Sequence, residues 1–363
     1  MQLYTECGQS PWLDNLRRSW ITGGTLDAWV DAGIRGLTSN PSIFQKAIET
    51  SSDYDEQFSD LVRGGAPVDH AYWQLVASDI GGALRTLAGV HAASGGTDGF
   101  VSVEVDPSLA HDTTATAAAA RELHASLARP NLMVKIPGTM EGLGAVRQMI
   151  AEGRSINVTL IFSVARYEQV AEAYVSGLED RVAAGATDLS EVASVASFFV
   201  SRTDTEVDRR LEATGSTDAL SLRGRAAVAQ AHVAYGRFVE IFSGPRWERL
   251  AALGAQLQRP LWASTSTKNP AYPDTLYVDE LIGPHTVNTM PDDTLAAFCD
   301  HGTLGRSVDA NEPAAQEVLD AVTAHGIDLD GIAGLLEAQG VAAFAKSFDE
   351  LLMSLQAKAD ALA

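Results

Sequence analysis

The residue of this chain with the clearest chemical potential is a lysine inside a short apolar run. Lys135 lies in Leu-Met-Val-Lys-Ile-Pro-Gly-Thr at 132–139, which ends at a Pro-Gly break. This pattern predicts a buried strand whose last residues reach a loop. Burial disfavours the charged form of an amine, and a neutral amine facing a cleft can attack a ketone to give a Schiff base. The alternative is a strand-end lysine that extends its amine into water, and this run alone slightly favours that alternative.

Polar side chains recur late in other β-like runs, which must position them. The eight runs lie at residues 10–14, 34–41, 100–107, 132–139, 155–161, 192–199, 260–265 and 285–289. Stretches with helical spacing separate them, for example at 112–127, 164–178 and 222–242. Alternating strands and helices predict a mostly parallel sheet, and eight repeats favour a closed (β/α)8 TIM barrel over an open doubly wound sheet. In such barrels the carboxyl ends of the strands carry the chemistry.

The whole chain, residues 1–363, is expected to form a single domain. The barrel occupies about 8–291, and its first strand has the least distinct pattern. Residues 292–363 are predicted to add helices at 314–325, 329–337 and 341–363 that pack on the barrel and reach over its mouth. No glycine-rich dinucleotide loop follows a strand, which argues against a nicotinamide-dependent reductase.

Composition excludes several classes of partner. The chain has 363 residues, 46% of them hydrophobic, and a net charge of −21, so most of its surface repels nucleic acid and anionic membranes. Two cysteines are too few for a disulfide framework, and no apolar run approaches the ~20 residues that span a bilayer. The amino terminus lacks the pattern of a signal peptide. We expect a cytoplasmic protein in which any cations that bind a phosphate ester are few and local.

The sequence offers no recognisable metal site. Its histidines are scattered, and Asp204, Glu206 and Asp208 have no histidine nearby. These three acids are expected to form a solvated helix start or loop.

Taken together, the strand ends resemble the transaldolase family, most closely its longer bacterial form. Five segments carry the resemblance: GQSPWLDNL at 8–16, TSNPSIF at 38–44, KIPGT at 135–139, NVTLIFS at 157–163 and SFFVSR at 197–202. The resemblance implies class I aldol chemistry through a Schiff base, with no metal or organic cofactor. In the pentose phosphate pathway, a dihydroxyacetone unit would pass from sedoheptulose 7-phosphate to glyceraldehyde 3-phosphate. The products would be erythrose 4-phosphate and fructose 6-phosphate.

The same resemblance implies a role for each strand-end residue. Lys135 would be the Schiff-base nucleophile, and Asp14 would be the general base at the hydroxyl beside the cleaved bond. Glu104 and Thr159 would position the water lost and regained by the imine. The hydroxyls of the three-carbon unit and its apolar wall would be contacted by Asn40, Asn157, Ser197 and Phe199.

The phosphate end departs from the family pattern. Arg202 follows the sixth strand as in the family, and a guanidinium suits a phosphate. Many relatives carry a serine followed closely by an arginine on the seventh strand, whereas this chain reads Ser-Thr-Ser-Thr-Lys-Asn at 264–269. We favour Ser264 and Lys268 as the completing residues, with a surface salt bridge as the alternative for either cation.

Other interpretations stay open at this point. Taken singly, Asp14 could cap a helix, Asn40 could be a turn residue, and Glu104 could belong to a solvated acidic strand end. The alternative activities are a fructose 6-phosphate aldolase of the same Schiff-base type and an inactive sugar-phosphate-binding barrel. A homo-oligomer is also open, and the sequence leaves the roles of Cys7 and Cys299 undefined.

Overall fold

The computed structural model describes residues 2–310 and 312–362, in which eight parallel strands close into one barrel. The strands pair in chain order, and the last strand pairs with the first. This arrangement confirms the predicted (β/α)8 barrel. The strands are β1 Gln9–Leu13, β2 Gly36–Thr38, β3 Val101–Glu104, β4 Leu132–Pro137, β5 Ile156–Ile161, β6 Ser194–Phe199, β7 Gln258–Ala263 and β8 Thr286–Met290.

Helices connect the strands and continue after β8. They are α1 Gln2–Cys7, α2 Arg18–Thr22, α3 Thr25–Asp31, α4 Pro41–Glu49, α5 Asp55–Arg63, α6 Val68–Ala93, α7 Thr113–Leu127, α8 Met140–Ala151, α9 Val164–Ala183, α10 Ser201–Thr214, α11 Thr217–Leu220, α12 Ala226–Ile241, α13 Gly244–Ala251, α14 Leu276–Asp279, α15 Asp292–His301, α16 Glu312–Ala324 and α17 Leu329–Leu362. Short 3₁₀ turns lie at Ser52–Tyr54 and Pro107–Leu109.

Side-chain caps fix where several of these helices begin. Asp112 accepts a hydrogen bond from the backbone N–H of Ala115 at the start of α7, as its position before an alanine-rich run predicts. Ser163 caps α9 and Thr139 caps α8 in the same way. The helices after β4 and β5 therefore start directly at the ends of the strands that carry Lys135 and Thr159.

The carboxyl-terminal helices depart from the prediction in one respect. The separate helices predicted at 329–337 and 341–363 are wrong, because residues 329–362 form the single 34-residue helix α17. The gap between the two predicted helices covered residues 338–340, and Gly340 instead lies inside the helix at a close contact. A Cβ built there would lie 2.8 Å from Cδ2 of Leu160 on β5. Glycine is therefore explained by close packing and not by helix termination.

Helix α17 packs along the end of the barrel where the strands finish. Glu337 forms an ion pair with Arg166 at 3.2 Å, and Ser347 shares a hydrogen bond of 2.7 Å with Ser42 of α4. Phe348 belongs to the same apolar core that fills the space between strands and helices. The expectation that the terminal helices pack on the barrel is confirmed. No helix in the described ranges is both long enough and apolar enough to cross a membrane.

Candidate active site

Lys135 lies inside the barrel with only 4% of its surface exposed. The strand register pairs it with Glu104 on one side and with Asn157 on the other. Its Nζ lies 3.3 Å from Oε2 of Glu104 and donates a hydrogen bond of 3.1 Å to the backbone carbonyl of Ser39. The amine is therefore held inside the barrel, and the alternative of a lysine that extends into water is wrong.

Glu104 is equally buried, with 5% of its surface exposed. Burial raises the pKa of its carboxyl group, and the adjacent amine of Lys135 opposes that rise. Its Oε1 has no hydrogen-bond partner within the described residues. The interpretation of Glu104 as part of a solvated strand end is wrong. A carboxyl group with a raised pKa beside an amine can exchange a proton with that amine or with a water.

Asp14 follows β1 and lines the same cavity as Lys135. Its Oδ1 accepts a hydrogen bond of 2.7 Å from the hydroxyl of Thr38, which also contacts the hydroxyl of Thr289 at 2.7 Å. Burial raises the pKa of Asp14, while the charge of Lys135 and the Thr38 hydrogen bond lower it. Asp14 does not cap α2, since Arg17 occupies the N-cap position. In its ionised form, the carboxylate of Asp14 can therefore accept a proton from a group in the cavity.

Thr159 and Asn157 lie on β5 but have different surroundings. The Thr159 hydroxyl is fully buried, lines the cavity and has no partner in the described part of the chain. Leu160, the next residue, has a left-handed backbone with φ of 60°, at the point where the pairing of β5 with β6 becomes irregular. Such irregularities re-aim side chains at functional sites. Asn157 instead lies beside the cavity, bonded to Ser102 at 3.1 Å and to Ser197 at 2.7 Å.

The cavity above Lys135 has a volume of about 180 Å³, the scale of a small metabolite. Asn40 lines it, and its side-chain oxygen caps α4 by accepting a 3.0 Å hydrogen bond from the backbone N–H of Ile43. Asn40 is therefore a helix cap, and the interpretation as a turn residue is wrong. The remaining walls of the cavity include Ser197 and Phe199. Sequence reasoning missed several lining residues: Thr38, Ser42, Ala263, Ser266, Thr289, Pro291 and Phe344. Thr38 and Ser42 lie within the TSNPSIF segment, whereas Phe344 comes from α17 and carries no local signal.

Two cations flank this cavity without a carboxylate partner among the described residues. Arg202, at the start of α10, has its guanidinium carbon 5.5 Å from the ring centre of Phe199. Lys268 is exposed and donates a 2.6 Å hydrogen bond to the hydroxyl of Ser266. Burial lowers the pKa of Arg202, so an anion would stabilise its charge. Within residues 2–310 and 312–362, neither cation forms the surface salt bridge suggested as its alternative role.

Ser264 joins the two sides of this cationic end. It adopts a left-handed backbone with φ of 57°, and its hydroxyl lies 2.8 Å from that of Ser201 on α10. A left-handed serine is energetically costly and marks a place where local geometry is imposed by function or packing. The site thus combines an amine, two carboxyl groups, hydroxyls and two cations.

No group of three or more metal-ligating side chains is assembled within the described residues. The expectation of a solvated acidic segment after Arg202 is partly wrong. Glu206 pairs with Arg209 and Arg210 near the surface, but Asp204 and Asp208 are only 1% and 7% exposed. Their helix α10 turns these two carboxylates inward, which the alternating spacing did not reveal.

The fold and the site define a barrel enzyme suited to amine chemistry on small anionic carbonyl compounds. The transaldolase/fructose-6-phosphate aldolase family matches residues 11–355. The chain belongs to this family.

Named relatives match over almost their full lengths. A transaldolase of Saccharopolyspora erythraea is 49% identical over 362 residues, covering 99% of this chain and 98% of the relative. Transaldolases of Mycobacterium ulcerans and Mycolicibacterium smegmatis are 51% and 50% identical to this chain. Each of these two matches covers 98% of this chain and 96% of the relative. The match therefore includes both the barrel and α17.

The environment of Asp14 predicts a pH dependence. The hypothesis that Asp14 is the general base requires its ionised form, so kcat/KM should fall as the pH drops through the pKa of Asp14, which burial raises above its ordinary value of 3.8. Thr38→Val removes a hydrogen bond that favours the ionised form of Asp14. The acid limb of the profile, where kcat/KM falls toward low pH, should therefore move upward by roughly one pH unit. The measurement is the pH profile of kcat/KM.

Thr116→Val is the matched control, because Thr116 is also buried but donates to the carbonyl of Leu109, and neither residue lines the cavity. An acid limb that stays in place in Thr38→Val would refute the assignment of Asp14 as the base.

Proposed function

We propose that this protein is a transaldolase that transfers a dihydroxyacetone unit from sedoheptulose 7-phosphate to glyceraldehyde 3-phosphate through a Schiff base on Lys135. The observation that carries the proposal is the buried amine of Lys135, 3.3 Å from Glu104 at the floor of a polar cavity. Family membership and relatives named transaldolase make the chain a transferase that acts on sugar phosphates.

The first half of the reaction uses Lys135, Glu104 and Thr159. The neutral amine adds to the ketone carbon, and the resulting carbinolamine loses its hydroxyl as water when a proton is supplied. Glu104, with its raised pKa, is the nearest acid for that proton. The unpartnered hydroxyl of Thr159 is available to hold the departing water. The product is a protonated imine, which withdraws electrons from the bond to be broken.

Asp14 carries out the proton transfer that breaks the carbon–carbon bond. It removes the proton from the hydroxyl on the aldose-side carbon of that bond, this carbon becomes the aldehyde of the departing aldose, and the bonding electrons pass into the enamine. The enamine then attacks the aldehyde carbon of the acceptor, and Asp14 returns the proton to the new hydroxyl. Water adds to the imine and releases the ketose, so that the amine is regenerated. Protons and water balance over the cycle.

Orientation of the three-carbon unit is assigned to polar groups that carry no net charge. Asn40 and Ser197 line the cavity, and Phe199 supplies an apolar wall. Asn157 accepts a hydrogen bond from Ser197 and so orients the hydroxyl of Ser197 beside the three-carbon unit. Neutral donors fix the position of a substrate without adding to the charge beside Lys135.

The phosphate group of either substrate is assigned to the cationic end of the cavity. Arg202, Ser264 and Lys268 line it, and the two cations lack carboxylate partners within the described residues. In a chain with a net charge of −21, unpaired cations beside a cavity form a local site for an anion. Lys268 takes the place of the arginine that many relatives carry.

We also propose that the chain is one domain, since its apolar core runs through the barrel and α17. A cytoplasmic location is consistent with Cys7 and Cys299, which are both free thiols. The oligomeric state stays a prediction for measurement in solution.

Substitution of the nucleophile tests the mechanism. Lys135→Ala should lower kcat by at least about 10⁴-fold, because no other amine lies beside Glu104 in the described cavity. Turnover of fructose 6-phosphate with erythrose 4-phosphate is the measurement, and thermal unfolding verifies the fold. Lys346→Ala, at an exposed lysine of α17, is the control that should keep full activity. Normal turnover by Lys135→Ala would refute the mechanism.

Acceptor dependence distinguishes transfer from simple cleavage, because the matched family includes both kinds of enzyme. With fructose 6-phosphate alone, a transaldolase stops after one cleavage per site, since the enamine has no aldehyde to attack. Addition of erythrose 4-phosphate should raise the steady-state rate at least about tenfold. Continuous release of free dihydroxyacetone at the same rate without an acceptor would identify an aldolase instead.

A further inference from the structure

Two buried carboxylates that line no part of the catalytic cavity connect α10 to the loop after β7, residues 264–275. We call this segment the β7 loop. Oδ2 of Asp208 accepts a 2.6 Å hydrogen bond from the phenol of Tyr272 in the β7 loop. Oδ2 of Asp204 accepts a 2.9 Å bond from the phenol of Tyr277, just beyond it. Each pair joins α10 to the segment that follows β7.

The second oxygen of each carboxylate binds the backbone before or within α12. Oδ1 of Asp208 accepts from the N–H of Gly224 at 2.9 Å, and Oδ1 of Asp204 accepts from the N–H of Ala227 at 2.8 Å. A Cβ at Gly224 would lie 2.8 Å from the ring of Tyr272, so only glycine admits the ring there. The phenol of Tyr272 is thus confined by both its hydrogen bond and its packing.

This arrangement is costly to maintain for stability alone. Asp204 and Asp208 are buried, and neither forms an ion pair with a cation in the described part of the chain. Burial raises the pKa of Asp204 to about 7 and raises that of Asp208 as well. Buried polar networks of this kind are retained where a unique geometry is needed.

The geometry that these pairs fix is that of the cationic end of the cavity. Arg202 lies two residues before Asp204 on α10, and Lys268 lies four residues before Tyr272 in the β7 loop. The β7 loop contains no helix or strand of its own. Two like charges repel each other when no anion lies between them. The start of the β7 loop is held by the hydroxyl of Thr265, which donates to Asn288, and its later part is held by Asp208 through Tyr272.

We propose that Asp208 and Tyr272 are positioning residues that hold Lys268 at a fixed distance from Arg202 and thereby set the preference for phosphorylated substrates. The inference rests on the proposed phosphate role of Arg202 and Lys268. The hydrogen bond between Tyr272 and Asp208 uses protein atoms alone, so it presents the phosphate with a preformed pair of cations and the phosphate does not have to order the loop. Asp204 and Tyr277 support the same contact from the end of the loop.

The test compares two acceptors that differ only in a phosphate group. Because transfer proceeds in two half-reactions, kcat/KM for the acceptor reports only the second one. Tyr272→Phe removes the phenol hydroxyl and keeps the ring beside Gly224. It should lower kcat/KM for glyceraldehyde 3-phosphate about tenfold, and leave kcat/KM for glyceraldehyde within twofold of its original value.

Asp208→Ala provides a second variant of the same contact, since an asparagine would still offer an amide N–H to the phenol oxygen. It should produce the same selective loss, and the double variant should lose little more than either single one, because both remove one interaction. Tyr235→Phe is the matched control. The hydroxyl of Tyr235 donates a 3.1 Å hydrogen bond to the carbonyl of Pro284, which lies outside the β7 loop. This control variant should leave the ratio of the two acceptors unchanged.

Arg202→Gln separates failure of this inference from failure of the phosphate site itself. If Arg202→Gln loses the preference for the phosphorylated acceptor but Tyr272→Phe keeps it, the positioning role is refuted and the phosphate site stands. If Arg202→Gln keeps the preference, the phosphate site is wrong and this inference falls with it. An equal loss for both acceptors in Tyr272→Phe would show a general structural role and would also overturn the inference.

Discussion

The buried contact between the amine of Lys135 and the carboxyl group of Glu104 is the constraint on which the rest of the site depends. Either charge alone inside a closed barrel would cost several kcal/mol, and the pair compensates only because the strand register sets the two side chains opposite each other. The backbone carbonyl of Ser39 accepts a hydrogen bond from the same amine. Among the described residues, Oε1 of Glu104 and the hydroxyl of Thr159 have no hydrogen-bond partner, which lowers stability.

The second constraint is charge, because a chain with a net charge of −21 must attract an anionic substrate. We propose that Arg202 and Lys268 attract it, because both line the cavity and neither has a carboxylate partner among the described residues, whereas arginines such as Arg18, Arg35 and Arg246 form ion pairs. Helix α17 also contributes to the wall of the cavity. Gly340 allows it to approach Leu160, and Phe344 completes the cavity wall. Carboxyl-terminal residues thereby become part of a site built on the strands.

Much of the barrel could be predicted from the sequence, because strand-like runs that end in polar residues alternate with helical spacing. Lys135 and Asp14 follow this rule and lie where it places them. The single helix α17 and the role of Phe344 could not be predicted, since a glycine required for close contact has the same local pattern as a helix break. The burial of Asp204 and Asp208 also escaped prediction, because their partners Tyr272 and Tyr277 lie more than 60 residues away in the chain.

Chemical trapping of the imine tests the central claim most directly. The protein is incubated with fructose 6-phosphate, reduced with borohydride and digested, and the peptides are analysed by mass spectrometry. The account predicts a reduced three-carbon adduct on the peptide that contains Lys135, and no adduct without substrate. An adduct on a different lysine, or no adduct from an active preparation, would contradict it.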